Sequence, residues 1–250
     1  MDTSGTRQPQ TRRRCAVCPV VFEGRSDKLY CSDACRSKAR RNRLAVTKNV
    51  TARGAVQSVL RGTNGVLLAA VAQLGYLGKP DDTVLDLTYG NGFWWTRYRP
   101  EFLIIGVGDF RDRPEVDGSV PVVCFDPPYI STGSRDKSTV ESFYKRYGLG
   151  EVQGWRAVRA VIDDGLAECA RVLAPGGHLL VKCMDYVEGG HKVWNTFHVV
   201  DQAKELGLRL VDRFIHLNGG GPQPLTNLDG SPREWQHAKE VSSMLLIFTK

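Results

Sequence analysis

From residue 66 onward, short apolar runs alternate with glycine-, proline- and charge-rich stretches. Val120-Pro121-Val122-Val123-Cys124-Phe125 is uncharged and rich in β-branched residues, which predicts a strand buried on both faces. Residues 83–87, 102–107, 178–183, 208–217 and 241–250 read as strands too, the last two as an antiparallel pair. Between them lie helical patterns. Residues 66–74, opened by Asn64-Gly65, are apolar all round. Residues 155–173 place Val158, Val161, Ile162, Leu166, Cys169, Val172 and Leu173 on one face and stop at Pro175-Gly176-Gly177. A third helix is expected over 196–206. Strands alternating with helices predict an α/β domain with a mostly parallel sheet over 63–250. Residues 44–62 read as a linker running into a weak helix. The polar stretch 130–150 is long enough for a lid, and 219–233 reads as a flexible loop.

Charge changes this picture at one end. The first 48 residues hold twelve Lys/Arg against four Asp/Glu, and the rest of the chain is nearly balanced, so the net charge of +7 is concentrated in its first fifth. Such asymmetry points to a nucleic-acid partner. No run is long enough to span a bilayer and no signal peptide is evident, so a cytoplasmic monomer is expected. Seven cysteines in that compartment read as metal ligands and packed thiols. Cys124, Cys169 and Cys183 sit in apolar runs and are the packed ones.

Cys15-x2-Cys18 and Cys31-x3-Cys35 have the pair spacing of a four-thiolate structural zinc site. A hairpin from Val20-Val21-Phe22 to Lys28-Leu29-Tyr30 is expected between the pairs. Ser32-Asp33 reads as an N-cap, opening a helix that carries Arg36, Lys38, Arg40, Arg41 and Arg43 toward nucleic acid. The organisation expected is therefore a disordered basic tail (1–14), a zinc finger (15–43), the linker (44–62) and the α/β domain. The Cys31-Ser32-x-x-Cys35-Arg36 knuckle resembles treble-clef-like fingers of phage-type nucleic-acid proteins.

Asp126-Pro127-Pro128-Tyr129 follows the strand 120–125 directly. Two prolines end the strand and stiffen a turn at the sheet's carboxyl edge, where open α/β folds hold ligands. The strand 83–87 ends in Asp86 and runs into Thr88-Tyr89-Gly90-Asn91-Gly92, a glycine turn that lets backbone approach a ligand. These two motifs, with the helix–turn–strand at 170–182, resemble the S-adenosylmethionine-dependent DNA amino-methyltransferases, in particular phage-type DNA methylases. The resemblance implies a Rossmann-like class I methyltransferase fold and S-adenosyl-L-methionine as cofactor. Asp86, Thr88, Tyr89, Gly90, Gly92, Asp109 and Asp126 would meet that cofactor. It implies catalysis by Asp126, Pro127, Pro128 and Tyr129. The Asp126 carboxylate and Pro127 carbonyl would accept the hydrogens of an exocyclic amine, which stabilises charge growing on nitrogen. Tyr129 would stack on a flipped base, worth ~1–3 kcal/mol. The motif order matches the adenine-N6 class ahead of cytosine-N4.

The chain departs from the family between its two motifs, where one strand fits instead of two. If Asp109 meets the adenine amine, the ribose carboxylate is missing; if it meets the ribose, the adenine partner is missing. Phe93, Trp94 and Trp95 either line the adenosine pocket or belong to the core. Lys182, Asp185 and Tyr186 emerge at the carboxyl edge, as substrate contacts or plain surface. Two other readings stay open: an RNA methyltransferase acting on guanine-N2 or adenine-N6, and a nucleic-acid-binding protein whose methyltransferase fold has lost its cofactor.

Overall fold

The computed structural model describes residues 11–15, 20–24, 30–37, 55–129, 137–188, 190–217 and 240–250. β1 (Thr11–Arg14) pairs antiparallel with β2 (Val21–Gly24), and Cys15 N–H donates to Val20 O at 2.9 Å to close this hairpin. The structure differs here from the sequence expectation. The end of the stretch read as a disordered tail is a strand, because β2 takes up its backbone hydrogen-bonding groups. The strand partner of Val21 and Phe22 thus lies before Cys15; Lys28 and Leu29 are outside the described residues. A short helix, α1, occupies 33–37, and Ser32 caps it by accepting the Cys35 N–H at 3.3 Å.

β3 (Val59–Arg61) falls in the expected linker, yet it is the edge strand of the main sheet. Its one inward residue, Leu60, is buried while Val59 and Arg61 face out, and that single anchor gave no visible period. α2 (Asn64–Gln73) then buries Gly65 through Val71. β4 (Val84–Asp86), a 3-10 turn (Phe93–Thr96), β5 (Leu103–Ile105) and β6 (Val120–Phe125) follow. α3 (Lys137–Arg146) stands where a polar lid was expected. Tyr144, Tyr147 and Leu149, at its end and just beyond, are all buried, so this part of the segment is packed down. Ile130 to Asp136 lie outside the described residues. α4 (Gly154–Val172), β7 (Leu173–Cys183), the hairpin β8 (Tyr186–Glu188) and β9 (His191–Val193), α5 (Asn195–Glu205), β10 (Arg209–Leu217) and β11 (Ser242–Thr249) complete the chain.

The main sheet has seven strands in the order β3-β10-β11-β7-β6-β4-β5. β11 alone runs opposite to the others, wedged between β10 and β7. This is a Rossmann-like α/β fold, with a small cysteine-bearing module ahead of it. Among the described residues only β5 lies beyond β4, as the short interval between the motifs implied. α4 and α5 cover one face over Phe125, Ile162, Leu166 and Val199. α2 and the 3-10 turn cover the other over Cys124, Leu180, Phe214 and Ile247. At Gly65 a β-carbon would collide with Thr96 Oγ1, so this glycine lets α2 lie directly on the turn that carries Trp94 and Trp95. No helix among the described residues is long and apolar enough to cross a membrane.

Candidate active site

β4, β6 and β7 are parallel neighbours, and their carboxyl ends bring Asp86, Asp126 and Lys182 to one corner of the sheet. Asp126 is fixed from several directions. Its N–H donates to Thr88 Oγ1 at 2.6 Å. Its Oδ2 accepts from Trp94 Nε1 at 3.0 Å and lies 3.9 Å from Lys182 Nζ. Its Oδ1 is buried and has no hydrogen-bond partner among the described residues. Burial pushes this carboxyl above the usual range, and Lys182 first, then the Trp94 indole, oppose the rise. Pro127 and Pro128 are buried; neither has an N–H, so the backbone beside Asp126 offers acceptors only. Tyr129 is partly buried against the core, and burial with Asp126 nearby holds its phenol above the ordinary value.

Asp86 is 3% exposed. Its Oδ1 accepts from Thr88 N at 3.0 Å and its Oδ2 from Trp95 Nε1 at 2.6 Å. Burial lifts its pKa to about 7, against the opposing pull of these two donors. The paired tryptophans of the 3-10 turn thus each give an indole N–H to one carboxylate. Sequence reasoning left Phe93, Trp94 and Trp95 between pocket and core. Trp94 and Trp95 are buried with a polar duty, and Phe93 is 65% exposed.

Gly90 and Gly92 have φ of +53° and +70°, a region that disfavours any side chain. A β-carbon on Gly90 would lie 3.1 Å from Tyr147 Oη and 3.4 Å from Arg146 Nη1. Tyr147 also donates to Thr88 O at 3.1 Å. The end of α3 therefore packs directly over the glycine turn. Tyr89 lies to the side, where Arg99 Nη1 donates to its hydroxyl at 3.0 Å.

Asp109 follows β5, the neighbour of β4. Arg111 grips its carboxylate through Nε and Nη2 at 2.6–3.1 Å and holds it below the usual range. The backbone at Gly148 sits against it. A cavity of about 550 Å³ opens beside Asp109 on the α4 side, bounded by Arg111, Asp164, Glu168 and Arg171. Neither Gly90 nor Asp126 lines it.

In the amino-terminal module the ligand sulfurs of Cys15, Cys31 and Cys35 all lie within 4.8 Å of one another. Cys31 N–H donates to Cys15 Sγ at 3.4 Å, and the Cys31 and Cys35 sulfurs are 3.6 Å apart. A disulfide would need ~2 Å. Sulfurs at ~2.3 Å from a shared tetrahedral ion lie ~3.8 Å apart, so the spacing fits zinc. Cys18, Lys38, Arg40, Arg41 and Arg43 lie outside the described residues. Arg36 is exposed on α1 and pairs loosely with Asp33 at 3.5 Å.

Lys182 meets Asp126 as described. Asp185 instead accepts the Thr196 N–H at 2.8 Å at the start of α5, and Tyr186 contacts Glu188. Sequence reasoning missed two groups near this edge: His216, and an exposed pair, Trp194 and Phe197. The rings of that pair are 5.9 Å apart, and Lys192 Nζ lies 5.3 Å from the centre of Trp194. Only the aromatic-basic alternation around 191–197 was there to be read.

No protein-family model matches the chain, and no curated protein does. Among solved structures, it is similar to a candidate DNA modification methylase from Thermus thermophilus complexed with S-adenosyl-L-methionine. Identity is 18%, coverage 67% of this chain and 55% of that one, and the TM-score 0.37. A cytosine-N4-specific PvuII DNA methyltransferase matches at 14% identity, covering 57% and 47%, with a TM-score of 0.38. A candidate methyltransferase from Bacillus halodurans C-125 matches at 14% identity, covering 73% and 97%, with a TM-score of 0.43. The chain spans about half the length of the two DNA methylases. At such identities and TM-scores the likeness carries no argument about activity. What stands on geometry is a Rossmann-like domain with a partly buried carboxylate at its carboxyl edge, preceded by a cysteine cluster.

Proposed function

We propose that this protein methylates an exocyclic amine of a flipped base in DNA, adenine-N6 ahead of cytosine-N4, with S-adenosyl-L-methionine as donor. The observation that carries the reading is the open, buried Oδ1 of Asp126. An acceptor that has no partner among the described residues costs stability, and Oδ1 is where a donor such as a substrate amine would be held. Beside it the Pro127 carbonyl supplies a second acceptor. Two acceptors of this kind suit the two hydrogens of an amine and stabilise positive charge forming on its nitrogen. Tyr129 provides a ring at the same turn for the base to stack on.

The cofactor supplies a methyl group already activated on sulfonium. The backbone of the turn at Gly90 would meet such a ligand, with Tyr147 and Arg146 beside it and Tyr89 packed over Gly92. Asp109 would hold the polar end of the nucleoside, and Arg111 orients its carboxylate. Asp86 acts from beneath, through Thr88 and Trp95, to hold the turn's shape. Cys15, Cys18, Cys31 and Cys35 would hold one structural zinc ion, so that Arg36, Lys38, Arg40, Arg41 and Arg43 reach phosphates. Trp194 and Phe197 at the active-site edge add stacking surfaces for unpaired bases.

The test is transfer of labelled methyl to DNA and, in parallel, to RNA. DNA labelling that Asp126→Ala reduces by 10³-fold or more (roughly 4 kcal/mol), with DNA binding near normal, is the expected result. Undiminished turnover in Asp126→Ala removes that residue from the mechanism. Labelling of RNA alone moves the substrate class. Calorimetry with S-adenosylhomocysteine that gives no heat favours a nucleic-acid binder without cofactor.

A further inference from the structure

Lys182 lies near the end of β7, one strand away from Asp126, and is only 4% exposed. Burying an ammonium costs several kcal/mol unless an anion answers it. The anion facing it is Asp126, at 3.9 Å. That distance is an ion pair rather than a hydrogen bond; the hydrogen bond to the same oxygen comes from Trp94. Both groups therefore act on Oδ2, and Oδ1 has no hydrogen-bond partner among the described residues.

The strand register extends this row. Cys124 pairs with Leu180, Lys182 with Leu245, and Ser243 with His216, so Asp126, Lys182, Ser243 and His216 fall on one face along the carboxyl edge. His216 is 2% exposed, and its Nε2 lies 2.8 Å from the Gly62 carbonyl. A carbonyl only accepts, so Nε2 carries the hydrogen. Nδ1 is buried with no partner among the described residues, and burial, with the Lys182 charge near, holds the ring below its ordinary pKa. His216 is thus the neutral end of the row and Lys182 its charge.

We propose that Lys182 is a positioning residue: its buried ammonium keeps Asp126 charged and turned by Oδ2, so that Oδ1 is presented to the target amine as an acceptor. This rests on the reading of Asp126 given above. A protonated Asp126 would offer a hydrogen where the amine also offers one. The pressure toward protonation is real, because burial disfavours the charge, while the Asp126 charge in turn raises neighbouring Asp86. The other groups that face Asp126 are Trp94 from the 3-10 turn, His216 from β10, Cys183 from β7, Tyr129 from its own turn and Tyr147 from the end of α3. Among these and Lys182, only the lysine brings a full positive charge to the pair.

The experiment is a carboxyl-carbon NMR titration of Asp126 in aspartate-labelled full-length protein, the signal assigned by its loss in Asp126→Asn. Lys182→Met is expected to raise the Asp126 midpoint by about one pH unit or more, and Lys182→Arg to restore most of the shift. In parallel, the acidic limb of the kcat/KM profile for methyl transfer should move upward by the same amount in Lys182→Met, with KM for nucleic acid little changed. An unmoved midpoint in Lys182→Met overturns the proposal whatever the activity. A wild-type midpoint above neutrality overturns it as well, and needs no variant to fold. If the wild type labels neither DNA nor RNA, the activity reading fails while the titration still decides the role of Lys182.

Discussion

At the residue scale, two tryptophans and two carboxylates form the centre of the site. Asp86 shows what such burial does to stability. Its folded pKa of about 7 stands well above the aspartate value of 3.8. The folded protein therefore holds this proton more tightly than the unfolded chain. Asp86 thus favours folding at low pH, and that contribution is lost as pH rises from about 4 through 7. Urea unfolding at pH 5 to 8 should show wild-type stability falling more steeply than that of Asp86→Asn, by up to ~1.4 kcal/mol per pH unit. Parallel slopes would mean that Asp86 is ionised throughout. The Asp126 turn was legible in sequence because an unusual tetrapeptide followed an unbroken apolar strand. The indole bonds of Trp94 and Trp95 were not, since they depend on a 3-10 turn lying under α2 at Gly65. His216 stayed hidden in an apolar strand for a similar reason: only the sheet order sets it in line with Lys182.

At the element scale, β6 and β11 were readable because each is built on a continuous apolar run, and β7 and β10 because shorter apolar runs in them follow a turn after a helix. β3, β8 and β9 are three residues long, too short for a period to appear. α3 was obscured by its polar composition, and Tyr144, near its end, is buried. The amino-terminal module was readable from cysteine spacing, while its hairpin pairing was not, because β1 is made of charged residues that resemble a tail. A module this small would depend on a bound metal for its stability. Cys31→Ser should take bound zinc from about one ion per chain to near none by metal analysis, and lower DNA affinity severalfold. Unchanged zinc content would remove Cys31 from the ligand set.

At the scale of the whole molecule, the positive charge sits in the first fifth of the chain and the chemistry in the rest. Docking and reaction are then separable by salt. Replacing Arg36, Lys38, Arg40, Arg41 and Arg43 with glutamine should flatten the plot of log affinity against log salt by about 2 or more, since each lost phosphate contact removes ~0.9. Fluorescence anisotropy with a short duplex measures this, and an unaltered slope would place the phosphate contacts elsewhere. The strand order has a consequence of its own. β11 follows every other described strand in sequence, yet it joins β7 to β10 in the middle of the sheet. On the ribosome, the piece holding Asp126 and Lys182 and the piece holding His216 must wait as separate half-sheets until this keystone emerges. The row from Lys182 to His216 is therefore joined only after β11 has been made, and a nascent chain cut short before Ser242 leaves β7 without its neighbour on that side.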